Sequence, residues 1–198
     1  ALTRHTQLLL FDEPFAALDT PRRRRLQQSL RALQREIAAV TVIVTHDSDE
    51  AALLADEVLV IEQGRVLQTG PVEEVFARPR TMRVADLLGL HNVGTGIVKA
   101  RGEIGIAEGF TLETSDRSFH PGQPVMWRVG SRSITPSASG PHAGTISTIG
   151  TRHGERYVNA KVKGISFEFA SQDNDLRENG ACRLAIDPDG VTVWAGAA

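Results

Sequence analysis

One short run constrains this chain more than any other. Gln7–Glu13 reads QLLLFDE, and its four apolar residues run straight into two acids. An unbroken apolar run of this kind predicts a strand buried on both faces of a parallel sheet. A carboxylate pair at the end of such a strand costs folding energy unless something uses it. In open α/β sheets, ligands bind just outside the C-terminal strand ends, which is where Asp12 and Glu13 fall. A further acid, Asp19, follows six residues after Glu13.

The next segments continue an alternation of helix and strand. LDTPRRRRLQQSLRALQREI reads as a helix, capped by Asp19 or Thr20, with Pro21 at its first position. Leu26, Leu30, Leu33 and Ile37 share one face at helical spacing. Arg22–Arg25 reads as a solvated helix face, because no aromatic residue interleaves it and no wider basic stripe exists. VTVIVTHD (Val40–Asp47) is a β-branched strand that ends in His46. DSDEAALLA follows as a helix, with Asp47 and Glu50 at capping-box spacing. EVLVIEQGRVLQTG alternates about Gln63-Gly64, a two-residue hairpin turn. PVEEVFARP is a short helix between Pro71 and Pro79.

Two parallel strands therefore deliver Asp12 and Glu13, and His46, to the same sheet edge. Nucleotide hydrolysis uses such a set. An Asp at a strand end can hold Mg²⁺ through water, since that hard cation keeps part of its hydration shell. The next carboxylate can polarise an attacking water. A facing His can hydrogen-bond a terminal phosphate. Each piece alone is ordinary; the combination carries the reading.

Charge and composition exclude several alternatives. With 22 basic and 24 acidic residues the net charge is −2, which gives no electrostatic case for nucleic acid or an anionic membrane. The single cysteine, Cys182, cannot form an internal disulfide and reads as a small buried apolar residue in a strand. No apolar run approaches the roughly 20 residues that span a bilayer, and no signal peptide is visible.

The texture changes near His91–Gly96. Residues 1–90 read as α/β, and residues 91–198 read as an all-β domain of short strands rich in Gly, Thr, Ser and Val. An echo between 93–134 and 142–194 suggests a duplicated β-unit. Asp189-Gly190 reads as the turn of a closing hairpin. Trp127 and Trp194 read as core or interface anchors. His142 and His153 fall in predicted loops without metal-ligand spacing.

The motifs of the first half resemble a known family. LLLFDEP, then ALD (Ala17–Asp19), then VTVIVTHD, then DEAALLADEVLVIEQGRVLQTGPVEEVFARP are similar, in that order, to the C-terminal portion of the ATP-binding subunit of an ABC transporter. The last of these carries one extra Ala in its first helix. The resemblance covers about residues 1–90 and implies part of a P-loop NTPase sheet. It makes Asp12 the Walker B aspartate on Mg²⁺, Glu13 the catalytic glutamate, Asp19 the D-loop aspartate that acts across a nucleotide-sandwich dimer, and His46 the switch histidine at the γ-phosphate. Ala16 stands where many relatives have Ser. No G-x-x-x-x-G-K-[ST] phosphate loop, LSGGQ-like signature or Q-loop occurs in the 198 residues. The chain alone is therefore expected to hydrolyse ATP negligibly and to self-associate or pair with a partner through an uncovered sheet.

Residues 93–198 resemble the TOBE or molybdenum-binding-protein modules that follow such ATPase domains, which implies one or two OB-like barrels. VADLLGLHNVGTGIV (Val84–Val98) is most similar to the junction in molybdate or tungstate importers. An oxyanion there would be held by hydroxyls, amides and Lys, with Ser147, Thr148, Asn159, Lys161 and Lys163 as candidates; each is also an ordinary solvent-facing strand residue. The resemblance implies ATP and Mg²⁺ as ligands, and a second ATPase subunit and membrane-spanning permease subunits as partners. It implies a periplasmic substrate-binding protein acting indirectly, and a peripheral place on the cytoplasmic face of the inner membrane. An oxyanion-sensing or dimerisation module is the alternative, as is an importer ATPase for iron, sulfate, polyamine, sugar or thiamine.

Overall fold

A computed structural model describes residues 7–37, 39–152 and 154–196. The chain divides into two compact units between Pro79 and Arg80.

In the first unit, β1 (Leu8–Asp12) pairs in parallel with β2 (Val40–Val44), in the register Leu8↔Val40 to Asp12↔Val44. The helix α1 (Thr20–Glu36) makes the crossover between them. Asp19 caps α1 by accepting from Arg22 N at 2.9 Å, and Pro21 sits in its first turn. The helix α2 (Ser48–Leu54) follows β2. A hairpin of β3 (Glu57–Glu62) and β4 (Arg65–Pro71) comes next, then α3 (Val72–Ala77). Its turn, Gln63 at φ 49° and Gly64 at φ 75°, has the two positive φ angles of a type I′ hairpin.

Phe15, Leu30 and Leu54 form the core of the α/β part, with Phe11, Leu18 and Ile43 against them. The strand Leu8–Asp12 is not buried on both faces as its apolar run predicts. Leu10 is 70% exposed, and Leu8, Val40, Val42 and Val44 share its open face. Among the described residues only one layer of helix packs on this sheet, so every second residue stays in solvent. The apolar stripe of α1 is also narrower than its spacing predicts. Leu30 and Gln27 are buried, whereas Leu26 is exposed.

The second unit opens with α4 (Met82–Leu87), capped by Thr81 Oγ1 on Val84 N at 3.2 Å. Ten strands follow: β5 (Val93–Ala100), β6 (Glu103–Ala107), β7 (Phe110–Glu113), β8 (Pro124–Val129), β9 (Ile134–Pro136), β10 (His142–Arg152), β11 (Glu155–Val162), β12 (Ile165–Ala170), β13 (Ala181–Ile186) and β14 (Val191–Ala195). They form two five-stranded antiparallel sheets, ordered β7-β6-β5-β8-β14 and β12-β11-β10-β13-β9.

The two orders are the same pattern. The echo in the sequence is a duplicated five-strand unit whose fifth strands are exchanged: β9 joins the second sheet and β14 the first. Backbone bonds repeat as well. Val98 N donates to Gln123 O and Val98 O accepts from Gly122 N; Ile146 N donates to Gly180 O and Ile146 O accepts from Asn179 N. Inner residues of both sheets, including Leu112, Trp127, Val158, Phe167 and Leu184, form one core.

Three expectations are corrected in this unit. The OB-like barrel is not closed: each repeat gives its last strand to the other sheet, so pairing ends at an edge strand instead of returning to the first. Asp189-Gly190 is not a hairpin turn. It lies in a 3₁₀ turn, Pro188–Gly190, that carries the chain from one sheet to the other. Gly190 is needed for closeness, because a Cβ there would overlap Ser133. His142 opens β10 and lies against the Phe110 ring, centroids 4.8 Å apart, where burial pushes its pKa down. His153 lies outside the described residues.

Candidate functional site

The parallel register levels the C-terminal ends of β1 and β2, so the residues after each strand meet. Glu13 N donates to Val44 O at 2.9 Å, which extends the ladder by one residue. Glu13 then turns with φ 45°, a conformation a non-glycine residue rarely adopts. This aims its carboxylate at the end of β2. Glu13 Oε1 accepts from His46 N at 3.0 Å and lies 2.7 Å from His46 Nδ1. The His46 pKa is raised above 6.5, first by the hydrogen bond to Glu13 and then by the Glu13 charge, with Asp47 and Glu50 adding smaller effects. The His46 ring is 81% exposed and the Glu13 side chain 34%. The pair is therefore held at the surface, open to a ligand.

Asp12 is exposed at the end of β1 beside this pair. No group of three or more His, Cys, Asp or Glu among the described residues could hold a metal ion by itself. A lone exposed carboxylate suits Mg²⁺, which binds through one or two carboxylates plus waters and substrate phosphates. Asp19 stands apart as the cap of α1, with Arg22 Nε 3.5 Å from its other oxygen.

Sequence reasoning missed the support beneath His46. Glu50 is buried and accepts from Gln27 Nε2 at 3.1 Å and from Thr45 Oγ1 at 2.8 Å. Thr45 Oγ1 in turn accepts from Asp47 N at 3.1 Å. The expected capping box is thus half made. Asp47 accepts from the N–H groups of Asp49 and Glu50, but the Glu50 carboxylate turns inward instead of back to Asp47 N. The available signal was Gln27, a polar residue one position from the apolar stripe of α1.

In the β-rich unit, Ser147, Thr148 and Asn159 come together on β10 and β11. Ser147 sits at a bulge and donates to Asn159 O at 3.0 Å; Asn159 Nδ2 donates to Thr148 Oγ1 at 3.3 Å. Lys161 is exposed opposite Thr145, and Lys163 lies in the β11–β12 turn with φ 50°. None of these five residues lines the open groove of about 520 Å³ in this unit, which Ser137, Ala143, Asp173, Leu176, Cys182 and Arg183 help to form. Trp127 and Trp194 are both buried.

Several known proteins are similar to this chain. The chain is 33% identical over 150 residues to a spermidine/putrescine import ATP-binding protein of Borreliella afzelii, covering 75% of this chain and 43% of that protein. It is 36% identical over 152 residues to an Fe(3+) ions import ATP-binding protein of Rhizobium meliloti, covering 74% and 43%. It is 42% identical over 113 residues to a molybdate/tungstate import ATP-binding protein of Thermococcus kodakarensis, covering 57% and 34%. Its relatives are ATP-binding subunits of ABC importers. The chain spans less than half the length of these three. No protein-family model matches it. The three relatives are named for three different cargoes, so similarity alone selects no substrate.

Proposed function

We propose that this chain is the C-terminal part of the ATP-hydrolysing subunit of an ABC importer. The observation that carries the reading is the direct contact of Glu13 with His46, beside Asp12, at the level ends of two parallel strands. Glu13 accepts a proton from, and so orients, the water that attacks the terminal phosphate. His46 donates to a γ-phosphate oxygen, and its contact with Glu13 raises its pKa. Asp12 would hold Mg²⁺, which, when bound, would neutralise charge on the phosphate oxygens. Asp19, exposed at the start of α1, faces a second ATPase subunit.

A second ATPase subunit, permease subunits and, through them, a periplasmic binding protein are the partners. The subunit sits on the cytoplasmic face of the inner membrane; no helix among the described residues is long and apolar enough to cross it. The β-rich unit is a TOBE-like regulatory domain, and a molybdate-like oxyanion is the cargo. Ser147 and Asn159 donate to Asn159 O and Thr148 Oγ1, so an anion at these residues would have to displace those bonds. An oxyanion-sensing or dimerisation role for this unit is therefore the second reading.

The test joins residues 1–198 to the phosphate-loop half of the polyamine-importer relative and follows Mg²⁺-dependent phosphate release. Turnover that Glu13→Gln abolishes supports the reading. Turnover indifferent to Glu13→Gln overturns it. Appreciable turnover by the 198-residue chain alone would show that its site needs no phosphate loop.

A further inference from the structure

The polar groups beneath His46 form a bracket with no part in the chemistry so far described. Glu50 and Gln27 are each buried, at 5% and 7% exposure. Buried polar groups at these positions cost free energy unless they fix something. What they fix is the backbone between β2 and α2. Gln27, from α1, holds one oxygen of Glu50. The other oxygen takes the Thr45 hydroxyl, whose own oxygen takes Asp47 N. Asp47 is held further by capping α2 and by Arg23 Nη1 at 3.6 Å. His46 is thus flanked on both sides by anchored residues, while its own ring is exposed.

We propose that Thr45, Glu50 and Gln27 are positioning residues, which hold the His46 backbone so that its N–H and imidazole both meet the Glu13 carboxylate. The proposal rests on the hydrolytic reading of the Glu13–His46 pair for its meaning, but its geometry stands without it. Thr45 is the decisive member. Its hydroxyl joins the Glu50 carboxylate to Asp47 N, and removing it changes no charge. Substituting Glu50 would also remove a negative charge that acts on His46 directly.

The experiment measures amide hydrogen exchange by NMR in the 198-residue chain and in Thr45→Val, Thr45→Ser and Glu13→Gln. The His46 N–H donates to Glu13 Oε1, so its protection reports the contact itself. In Thr45→Val we expect His46 protection to fall at least tenfold, while Phe11 and Val42, whose N–H groups point into the β1–β2 ladder, keep theirs. Thr45→Ser, which retains the hydroxyl, should restore it. In Glu13→Gln the effect of Thr45→Val should shrink, because the contact being positioned is already weakened. Equal loss of protection at His46, Phe11 and Val42 would mean the hydroxyl only stabilises the unit, and would overturn the proposal. So would unchanged His46 protection in Thr45→Val. Neither outcome depends on ATP turnover, so the failure of this proposal is separable from failure of the hydrolytic reading.

Discussion

Asn92 offers a quantitative test of how the β-rich unit is held. Its φ is 56°, and its buried side chain bonds twice to Glu168. Nδ2 donates to Glu168 O at 2.7 Å, and Oδ1 accepts from Glu168 N at 2.7 Å. β12 is an edge strand paired only with β11, so Asn92 stands in for the missing neighbour at one residue. Asn92→Ala would leave a buried N–H and a buried C=O without partners. Each such orphan costs about 1–3 kcal/mol, and water reaching an edge strand lowers the sum, so about 2–4 kcal/mol is expected. Both tryptophans of the chain, Trp127 and Trp194, lie in this unit, so tryptophan fluorescence in a urea titration follows its unfolding alone. At an m-value of roughly 2 kcal/mol/M, the midpoint should fall by about 1–2 M with m unchanged. Asn92→Gly should recover about 0.5–1 kcal/mol of the loss, because glycine adopts positive φ without strain. A loss below about 0.5 kcal/mol in Asn92→Ala would refute the claim that these two bonds close the edge.

Other consequences follow from named contacts. Glu13→Gln should lower the His46 titration midpoint toward 6.5, read by NMR of the imidazole, because Glu13 is the leading cause of its raised value. Since the folded-state pKa lies above the unfolded one, the pair's stabilisation is complete below about pH 6.5 and is lost as pH rises through the folded value. The stability gap between wild type and Glu13→Gln should therefore close at alkaline pH. Gly94→Ala should cost about 1–3 kcal/mol by overpacking, since its Cβ would overlap the buried Trp127 ring; a stability equal to wild type would contradict that packing. Cys182 is buried and burial pushes its thiol pKa up. It should react with a disulfide reagent far more slowly in the native chain than in urea, and equal rates would place it at the surface.

Local order was legible in the residues, because a strand, a cap or a tight turn is decided within a few positions. The carboxylate run ending at Glu13 and the strand ending at His46 were read as reaching one edge, and the parallel register levels their ends. The bracket under His46 was not legible. Gln27, Thr45 and Glu50 look like ordinary polar residues, and only the packing of α1 on α2 makes them a hydrogen-bonded set. Asn92 and Glu168 are 76 residues apart and meet through tertiary structure alone.

The exchange of fifth strands is a deeper case of the same limit. The duplication gives β9 and β14 equivalent edges to join, so a strand pattern cannot tell a strand's own sheet from the other one. Two short 3₁₀ turns, Ser131–Ser133 and Pro188–Gly190, immediately precede these strands. Gly130 N donates to Gly190 O at 3.1 Å and Asp187 N donates to Ser133 O at 2.8 Å, so each turn grips the other. The bare contact between Gly190 and Ser133 lets them come this close. These contacts exist only between two turns that hand their strands across, so their mutual fit stabilises the exchanged arrangement.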